Sequence, residues 1–412
     1  MEENKSKKSV WLINQYLCTP ELNGDGHRHS FLAEELLKKR YDVTLITSSC
    51  SHVPFRDNKL KGLFSLSEGA IRTLLIKGNV YKGTQGFSRV LSWLIFCFLL
   101  FFIPTKKIPK PDIIIVSSNS LLPILNVVFF FKKRFKKVKF VLEVRDIWPL
   151  SLIEIGNFSP KNPLIMFFAW VEKLGYKKAD HIVSLLMDSN AHIKKVLKET
   201  PFNYTWISNG YKIEDKYDLI PLELKNKIPK NNSFIIGYSG SLGRANAMES
   251  IVEAVKELDS ENVSLVIVGD GNDKKKLEKL AESSSNIIFL GRIPKKQVLS
   301  FLRECDLLYF STKDLGIYKY GISGNKTFDY MYAEKPILLS APTANNVIQL
   351  AECGRVIKTG DSNLIIDEVL KFKEMSPEER NVMGLKGKDY LIKYFTYDKL
   401  SDKYIEIFKS LF

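Results

Sequence analysis

The chain has 412 residues, 45% of them hydrophobic and 26% charged, with a formal net charge of +15 and a pI near 9.3. That length exceeds the roughly 250–300 residues at which a single core stops growing, so two globular domains are expected, and the positive balance favours an anionic partner: nucleic acid, acidic lipid or a phosphate-rich substrate. Cys18, Cys50, Cys97, Cys305 and Cys353 are scattered without Cys-x-x-Cys spacing, which excludes a disulfide frame or zinc site and points to the reduced thiols of a cytosolic protein.

The opening MEENKSKKSVWLINQY has no apolar h-region, so no signal peptide is expected. Ser9 to Gln15 is a short apolar strand, Ser30 to Arg40 has helical periodicity, and Asp42 to Thr47 is a second apolar strand. This βαβ opening predicts a parallel sheet. Asn23-Gly24-Asp25-Gly26-His27-Arg28-His29 lies between the first strand and helix, at the sheet end where α/β proteins hold ligands. No carboxylate or cysteine set accompanies His27 and His29, so they are not read as metal ligands; His29 fits a helix start equally well.

Val90 to Ile103 (VLSWLIFCFLLFFI) is the most hydrophobic run and is closed by Lys106-Lys107. As a helix it would span only ~21 Å, short of a ~30 Å hydrocarbon core. Further on, Phe129-Phe130-Phe131 abuts Lys132-Lys133-Arg134 and Lys136-Lys137. Apolar faces beside such clusters suit a protein lying on an anionic cytoplasmic leaflet. A buried helix beside a solvated basic turn is the alternative.

Asp112 to Ser117, Phe140 to Val144 and His181 to Ser184 continue the strand series. After the second of these comes Glu143-Val144-Arg145-Asp146-Ile147-Trp148-Pro149. An Arg-Asp pair at a strand's carboxyl end is costly to bury without purpose, which makes Arg145 and Asp146 candidate catalytic residues, with a structural ion pair as the alternative. The first domain is expected to run over residues 1–212, and Tyr211 to Asn232 reads as a linker.

The pattern then restarts. Phe234 to Arg244 (FIIGYSGSLGR) is a strand running into glycines at 237, 240 and 243, which let backbone approach a ligand at the next helix. The spacing is not G-x-G-x-x-G, so no nicotinamide site is read. A helix over Met248 to Glu257, a strand over Ser264 to Val268, a helix over Lys274 to Ser283 and a strand over Asn286 to Leu290 follow. Pro377 to Phe412 reads as helices; the second domain is expected over 213–385, with C-terminal helices over 386–412.

Tyr320 to Leu339, YGISGNKTFDYMYAEKPILL, carries the densest chemistry. Ser323-Gly324-Asn325 is turn chemistry that can also cap a helix N-terminus, where backbone N–H groups and the dipole favour a phosphate. Lys326 stands beside that position, and Asp329 follows on the same helical face, offering a cation to a pyrophosphate and a carboxylate to a ribose diol.

This segment resembles the sugar-nucleotide motif of family 4 of the retaining glycosyltransferases, in particular the bacterial polysaccharide branch with L-fucosamine transferase-like enzymes, whose usual string is YGISPNKLFDYMAAGKPII. Gly324 stands where that branch has Pro, and Ala333-Glu334 where it has Ala-Gly. Further resemblances follow in the family's order from Gln15 to about Tyr394: an RD-x-WP string at 145–149, an NG turn at Asn209-Gly210, a VG-x-G turn at 268–271 and a base-framing strand and turn at 289–294. The resemblance implies an α/β chain of GT-B architecture, two Rossmann-like domains facing across a cleft. It places Lys326 on the donor diphosphate and Asp329 on the ribose hydroxyls. Gly240, Ser241, Gly243 and Arg244 face the donor phosphates, Gly269, Arg292 and Ile293 the base or sugar, and Ser323 and Asn325 the helix entry. Gly24 and Gly26 approach the donor phosphates or the acceptor. Family members often carry basic residues where Ser241 and Asn246 stand here, so Arg244 and Lys326 have to supply the charge. Asp146 is then suited to orient an acceptor hydroxyl or the donor sugar, and Arg145 to stabilise leaving phosphate.

The implied function is transfer of a sugar from a nucleoside diphosphate sugar, UDP by analogy with the branch, to a lipid-linked saccharide in O-antigen or capsule assembly. No Asp-x-Asp is present, and neither metal nor cofactor is expected. The protein is expected in the cytoplasm, peripheral on the anionic inner face of the cell membrane. Two rivals are a sugar-nucleotide epimerase of the same fold and a non-catalytic basic membrane or nucleic-acid-binding protein; no nucleic-acid reader module is recognised, so nucleic acid is not expected as a partner.

Overall fold

The computed structural model describes residues 7–17, 28–52, 55–57, 60–80, 87–214, 216–229, 233–343 and 345–412. Gly24, Gly26 and His27 therefore lie outside the described residues. The chain divides into two compact units, Met1–Ser208 with Tyr397–Phe412, and Asn209–Thr396.

In the first unit the strands are β1 (Ser9–Ile13), β2 (Asp42–Ser48), the short antiparallel pair β3 (Cys50–His52) and β4 (Phe55–Asp57), then β5 (Phe64–Glu68), β6 (Arg72–Ile76), β7 (Ile113–Ser117), β8 (Lys139–Val144), β9 (His181–Ser184) and β10 (Tyr204–Trp206). All except β3 and β4 form one sheet in the order β10-β9-β8-β7-β1-β2-β6-β5, parallel throughout but for the edge pair β5 and β6. The middle strands β1 and β7 are buried from end to end and apolar but for Ser9 and Ser117, because both faces are covered. The crossovers put α1 (Arg28–Lys38) on one face and α2 (Phe87–Leu100), the helical stretch 123–134 and α3 (Pro163–Lys178) on the other. Trp93 of α2 packs edge-on to Trp148 at 5.4 Å and to Phe168 of α3 at 5.9 Å.

The second unit holds β11 (Phe234–Ser239), β12 (Val263–Val268), β13 (Ile287–Gly291), β14 (Leu307–Ser311), β15 (Ile337–Ser340) and β16 (Gly354–Ile357). They form a wholly parallel sheet in the order β13-β12-β11-β14-β15-β16. The order reverses between β11 and β14, which leaves an opening at their carboxyl ends. The helices that matter below are α4 (Glu249–Glu257), α5 (Lys295–Arg303), α6 (Asn325–Tyr332) and α7 (Pro377–Tyr394).

The last helix, α8 (Tyr397–Ser410), belongs to the first unit. The helices expected as one C-terminal piece over 386–412 thus part company: α7 stays with the second unit and α8 packs on α1, with Lys39 Nζ 2.6 Å from Asp402 and Phe31 against Tyr397 at 5.1 Å. The expected domain boundary at 212 falls after Ser208 instead. α7 buries only Gly384, Gly387 and Leu391, whereas α8 buries a full stripe including Leu400, Tyr404, Ile407 and Phe408, and the core that each covers is set by tertiary packing.

A fully buried charge network fastens α8 and α1 to the sheet. Glu143 of β8 accepts from Arg28 Nε at 3.0 Å, from His29 Nε2 at 2.7 Å and from the Tyr404 hydroxyl. Arg28 also donates to the carbonyls of Ile207, at 3.0 Å, and Ser208. Asn14 Nδ2 lies 2.8 Å from His29 Nδ1, which fixes the neutral ring with its proton on Nε2. Burial opposes ionisation of Glu143, but Arg28 and His29 hold its carboxyl well below the usual range. Burial likewise holds the His29 ring below its ordinary value, against the pull of Glu143.

Both groups are therefore less readily protonated folded than unfolded, so stability falls with falling pH, first below about 6.5 through His29 and then below about 4.3 through Glu143. Urea unfolding from pH 8 to pH 5 is expected to show the first loss, and His29→Gln to flatten it. Tyr404→Phe leaves a buried carboxylate short of a donor and is expected to cost about 1–3 kcal/mol in the same assay.

The turn after α6 makes a separate test. Glu334 sits at φ +61°, a left-handed conformation that favours glycine. Its carboxylate pairs with Lys388 at 2.6 Å and Arg303 at 3.3 Å. Glu334→Gly and Glu334→Ala lose the same pairs but differ in backbone freedom, so the glycine variant is expected to be more stable by about 1 kcal/mol in thermal unfolding.

Candidate functional site

The strand reversal in the second unit brings three loops together. The first follows β11 and spans Gly240 to Ala247; the second follows β12; the third leads from β14 into α6. The first two are laced by backbone bonds, Gly240 N–H to Val268 O at 3.0 Å and Leu242 N–H to Asp270 O at 2.8 Å. A Cβ on Gly269 would stand 1.8 Å from the Gly240 carbonyl oxygen, so this glycine is required by backbone approach. Gly243 has open space around it, so packing makes no such demand there. α6 is tied to β11 by Tyr330, whose buried hydroxyl accepts from Ser239 N–H at 2.8 Å.

That anchor sets Lys326, one turn earlier, over the first loop. Its Nζ donates to the Tyr238 hydroxyl at 3.0 Å and to Asn246 Oδ1 at 2.9 Å, and lies over the rings of Tyr238 and Phe310 at 4.6 and 4.8 Å. Among the described residues Lys326 has no carboxylate partner. Dehydration by its apolar surroundings lowers its pKa to about 7. Asn246 spans the loop by also donating to Ser241 O at 2.9 Å and Ser241 Oγ at 3.2 Å. No side chain caps α6, whose N-cap is Gly324. Gly324 adopts φ −76° and ψ 132°, angles that proline also takes, so the departure from the family string leaves the backbone course intact.

Asp329 accepts a close hydrogen bond from Lys295 Nζ at the start of α5. Burial raises the Asp329 pKa and Lys295 opposes the rise. The turn before α6 is held by Asn209, whose N–H donates to Ser323 Oγ at 3.1 Å and whose Nδ2 donates to Ser323 O at 2.7 Å. The Asn209 Oδ1 is buried and has no partner among the described residues. Asn325 and Ser241 are exposed, as is Arg244, which makes no ion pair among the described residues. At the end of β13, Arg292 is exposed and Ile293 buried, and Gly291 O accepts from Gly269 N–H at 2.9 Å.

Sequence spacing thus pointed to Lys326, Asp329, the glycine turns and the Asn209-Gly210 turn, but not to Tyr238, Tyr330 and Lys295 or to the side-chain contacts of Asn209 and Asn246. These act through folded proximity: Asn209 is 114 positions from Ser323, and Lys295 is 34 from Asp329.

Arg145 and Asp146 lie at the carboxyl end of β8 in the first unit. The structural ion pair kept as the alternative for Arg145 and Asp146 is not formed within 4 Å, although burial raises the pKa of the Asp146 carboxyl against the pull of Arg145 and Arg89. The buried ion pair at this strand end is Glu143 with Arg28. Ser118 holds the turn, accepting from Arg145 N–H at 2.9 Å and donating to Asp146 O at 3.4 Å.

The lowered pKa of Lys326 makes any binding of an anion beside it pH-dependent. Its pKa of about 7 rises when an anion binds, so binding takes up a proton and weakens as pH rises above 7. Titration calorimetry with inorganic pyrophosphate is expected to show this slope, and Lys326→Met to abolish it.

Residues 222–390 match the family of glycosyl transferases group 1. The probable glycosyltransferase WbjE of Pseudomonas aeruginosa is 25% identical over 61% of this chain and 62% of its own length. The putative colanic acid biosynthesis glycosyl transferase WcaI of Escherichia coli is 24% identical over 64% of this chain and 66% of its own. The matched stretch therefore spans less than two thirds of either relative. HepE of Anabaena, solved in complex with UDP-glucose, shares the fold with a TM-score of 0.64 at 14% identity, over 98% of this chain and 99% of that one. The two α/β units have the GT-B fold, and the stretch that matches the group 1 glycosyl transferase family, residues 222–390, holds β11 to β16, Lys326 and Asp329.

Proposed function

We propose that the protein is a retaining, metal-independent glycosyltransferase that moves a hexosyl or N-acetylhexosaminyl group from a UDP-sugar to a lipid-linked saccharide in surface polysaccharide assembly, of the O-antigen or capsule kind, from a peripheral position on the inner face of the cell membrane. One observation carries this reading: Lys326 is a dehydrated cation with no acid partner among the described residues, beside an uncapped helix N-terminus and one turn from Asp329. That is the charge distribution a diphosphate and its ribose require. The UDP choice is supported by the UDP-glucose complex of HepE, and the pathway by the name of WcaI.

As the bond from the sugar's anomeric carbon to the diphosphate oxygen breaks, negative charge grows on the leaving UDP. Protonated Lys326 and the first N–H groups of α6 oppose that charge, and Arg244 adds a second cation from the neighbouring loop. In a front-face route the acceptor oxygen bonds to the anomeric carbon on the face the diphosphate leaves, and its proton passes to a diphosphate oxygen. Asp329 receives the ribose hydroxyls by exchanging its bond to Lys295.

Thermal unfolding with UDP, with GDP and with neither tests the site. UDP at about 100 times Kd adds ~2.7 kcal/mol, a rise of a few degrees. The rise is expected with UDP and to be lost in Asp329→Ala. Lys326→Ala is expected to lower turnover by about 10²–10³; near-normal turnover on the true donor and acceptor would remove Lys326 from the transition state.

A further inference from the structure

We infer that a basic cavity at the amino-terminal end of the first unit's sheet is a site for the phosphate headgroup of an anionic membrane lipid, with the exposed side of α2 entering the acyl region beside it. The inference rests on the membrane position proposed above and assigns the surface that makes it.

The cavity, of about 780 Å³, is formed by the segments that lead into β7 and β8, and so lies at the opposite end of the sheet from the strand ends that carry Asn14 and Arg145. Lys106, Lys110, Arg134, Lys136 and Lys137 line it. All five are exposed and none forms an ion pair among the described residues. The one acid in the lining, Asp112, is engaged by Ser9 N–H at 2.8 Å. Five like charges around one concavity repel one another unless an anion occupies it, and a phosphate supplies the oxygens to bridge them.

The apolar component adjoins this cavity. α2 buries Trp93, Phe96, Leu99 and Leu100 in the core and leaves Leu91, Leu94 and Phe98 exposed on its other side. Phe102 continues that stripe, its ring 5.2 Å from Phe98. Phe98 is 62% exposed and Phe102 59%, and Phe102 lies three residues before Thr105 in the cavity wall. The other wall is likewise preceded by an exposed ring, Phe129. On the neighbouring α3, Met166 and Trp170 are also exposed. Rings that continue directly into uncompensated cations match the layering of a bilayer surface, acyl chains under phosphates. A soluble phosphate would leave the rings without a purpose. No described helix is long and apolar enough to cross a membrane, which leaves an in-plane contact for α2.

Cosedimentation with vesicles of phosphatidylglycerol and phosphatidylcholine, against phosphatidylcholine alone, tests this. The protein is expected to bind the anionic vesicles selectively, and both Lys136→Glu/Lys137→Glu and Phe98→Ser/Phe102→Ser to lose about tenfold or more in affinity. Lys106→Gln/Lys110→Gln provides an independent lysine pair if the reversed charges disturb folding, which circular dichroism reports. The thermal rise with UDP is expected to be unchanged in all three, so its loss would indict the nucleotide reading and not this one. Equal binding to both vesicle types, or unweakened binding by the lysine variants, overturns the headgroup site. Loss in the phenylalanine variants alone keeps the membrane contact and removes the cavity from it. Wild-type protein that dimerises through Phe98 and Phe102 and ignores vesicles overturns both.

Discussion

Parallel strand pairing with one reversal of order is the constraint on which the rest of the second unit depends. Every strand of β11 to β16 points the same way, so all loops that follow strands emerge at one end. Because the order runs outward in both directions from β11 and β14, the loops after these two strands diverge and leave room between them. Gly240 to Ala247 and the entry to α6 line that room. Glycines at 269 and 271 then allow the second loop to press against the first, since a side chain at either would collide with backbone. The site is thus a product of topology first and of side chains second.

Within that frame, the two charged groups of α6 are treated differently. Lys326 is held by neutral partners, the Tyr238 hydroxyl and the Asn246 amide, over two aromatic rings. It keeps its capacity for an anion and loses water, which lowers its pKa. Asp329 already has a cation, Lys295. A dehydrated lysine with no acid partner is costly in a structural role, where an ion pair would compensate it, but suits a group whose counter-charge arrives with a ligand.

The first unit uses charge for the reverse purpose. Glu143, Arg28, His29 and Tyr404 satisfy one another in a closed, buried cluster that fastens both ends of the unit's chain to β8. Cations on the outside are left uncompensated instead, around the cavity at the sheet's amino-terminal end. The same unit leaves one side of α2 bare. A helix as apolar as this one, polar only at Ser88, Arg89 and Ser92, is normally covered on every side; this one is covered on one.

The sequence by itself determined the two parallel α/β series, because strands buried on both faces must be apolar throughout and the helices between them must carry a 3.6-residue stripe. It also determined the Tyr320 to Leu339 helix entry with Lys326 and Asp329, since a turn, a cation and an acid at fixed helical offsets are local chemistry. It did not show the edge strands β5 and β10, whose segments are only five and three residues long, nor the contacts by which Asn209 and Asn246 support the site. The Arg145-Asp146 string was legible but its physics was not: which acid of Glu143 and Asp146 is buried depends on the pleat and on Arg28, 115 positions away. The fate of the two last helices was likewise decided only by tertiary structure, because α8 carries a clear apolar stripe but nothing in that stripe says which core it covers. Periodicity and turn chemistry act over a few residues and are written in the chain, whereas pairing of buried charges and the choice of covered face arise only when distant segments meet.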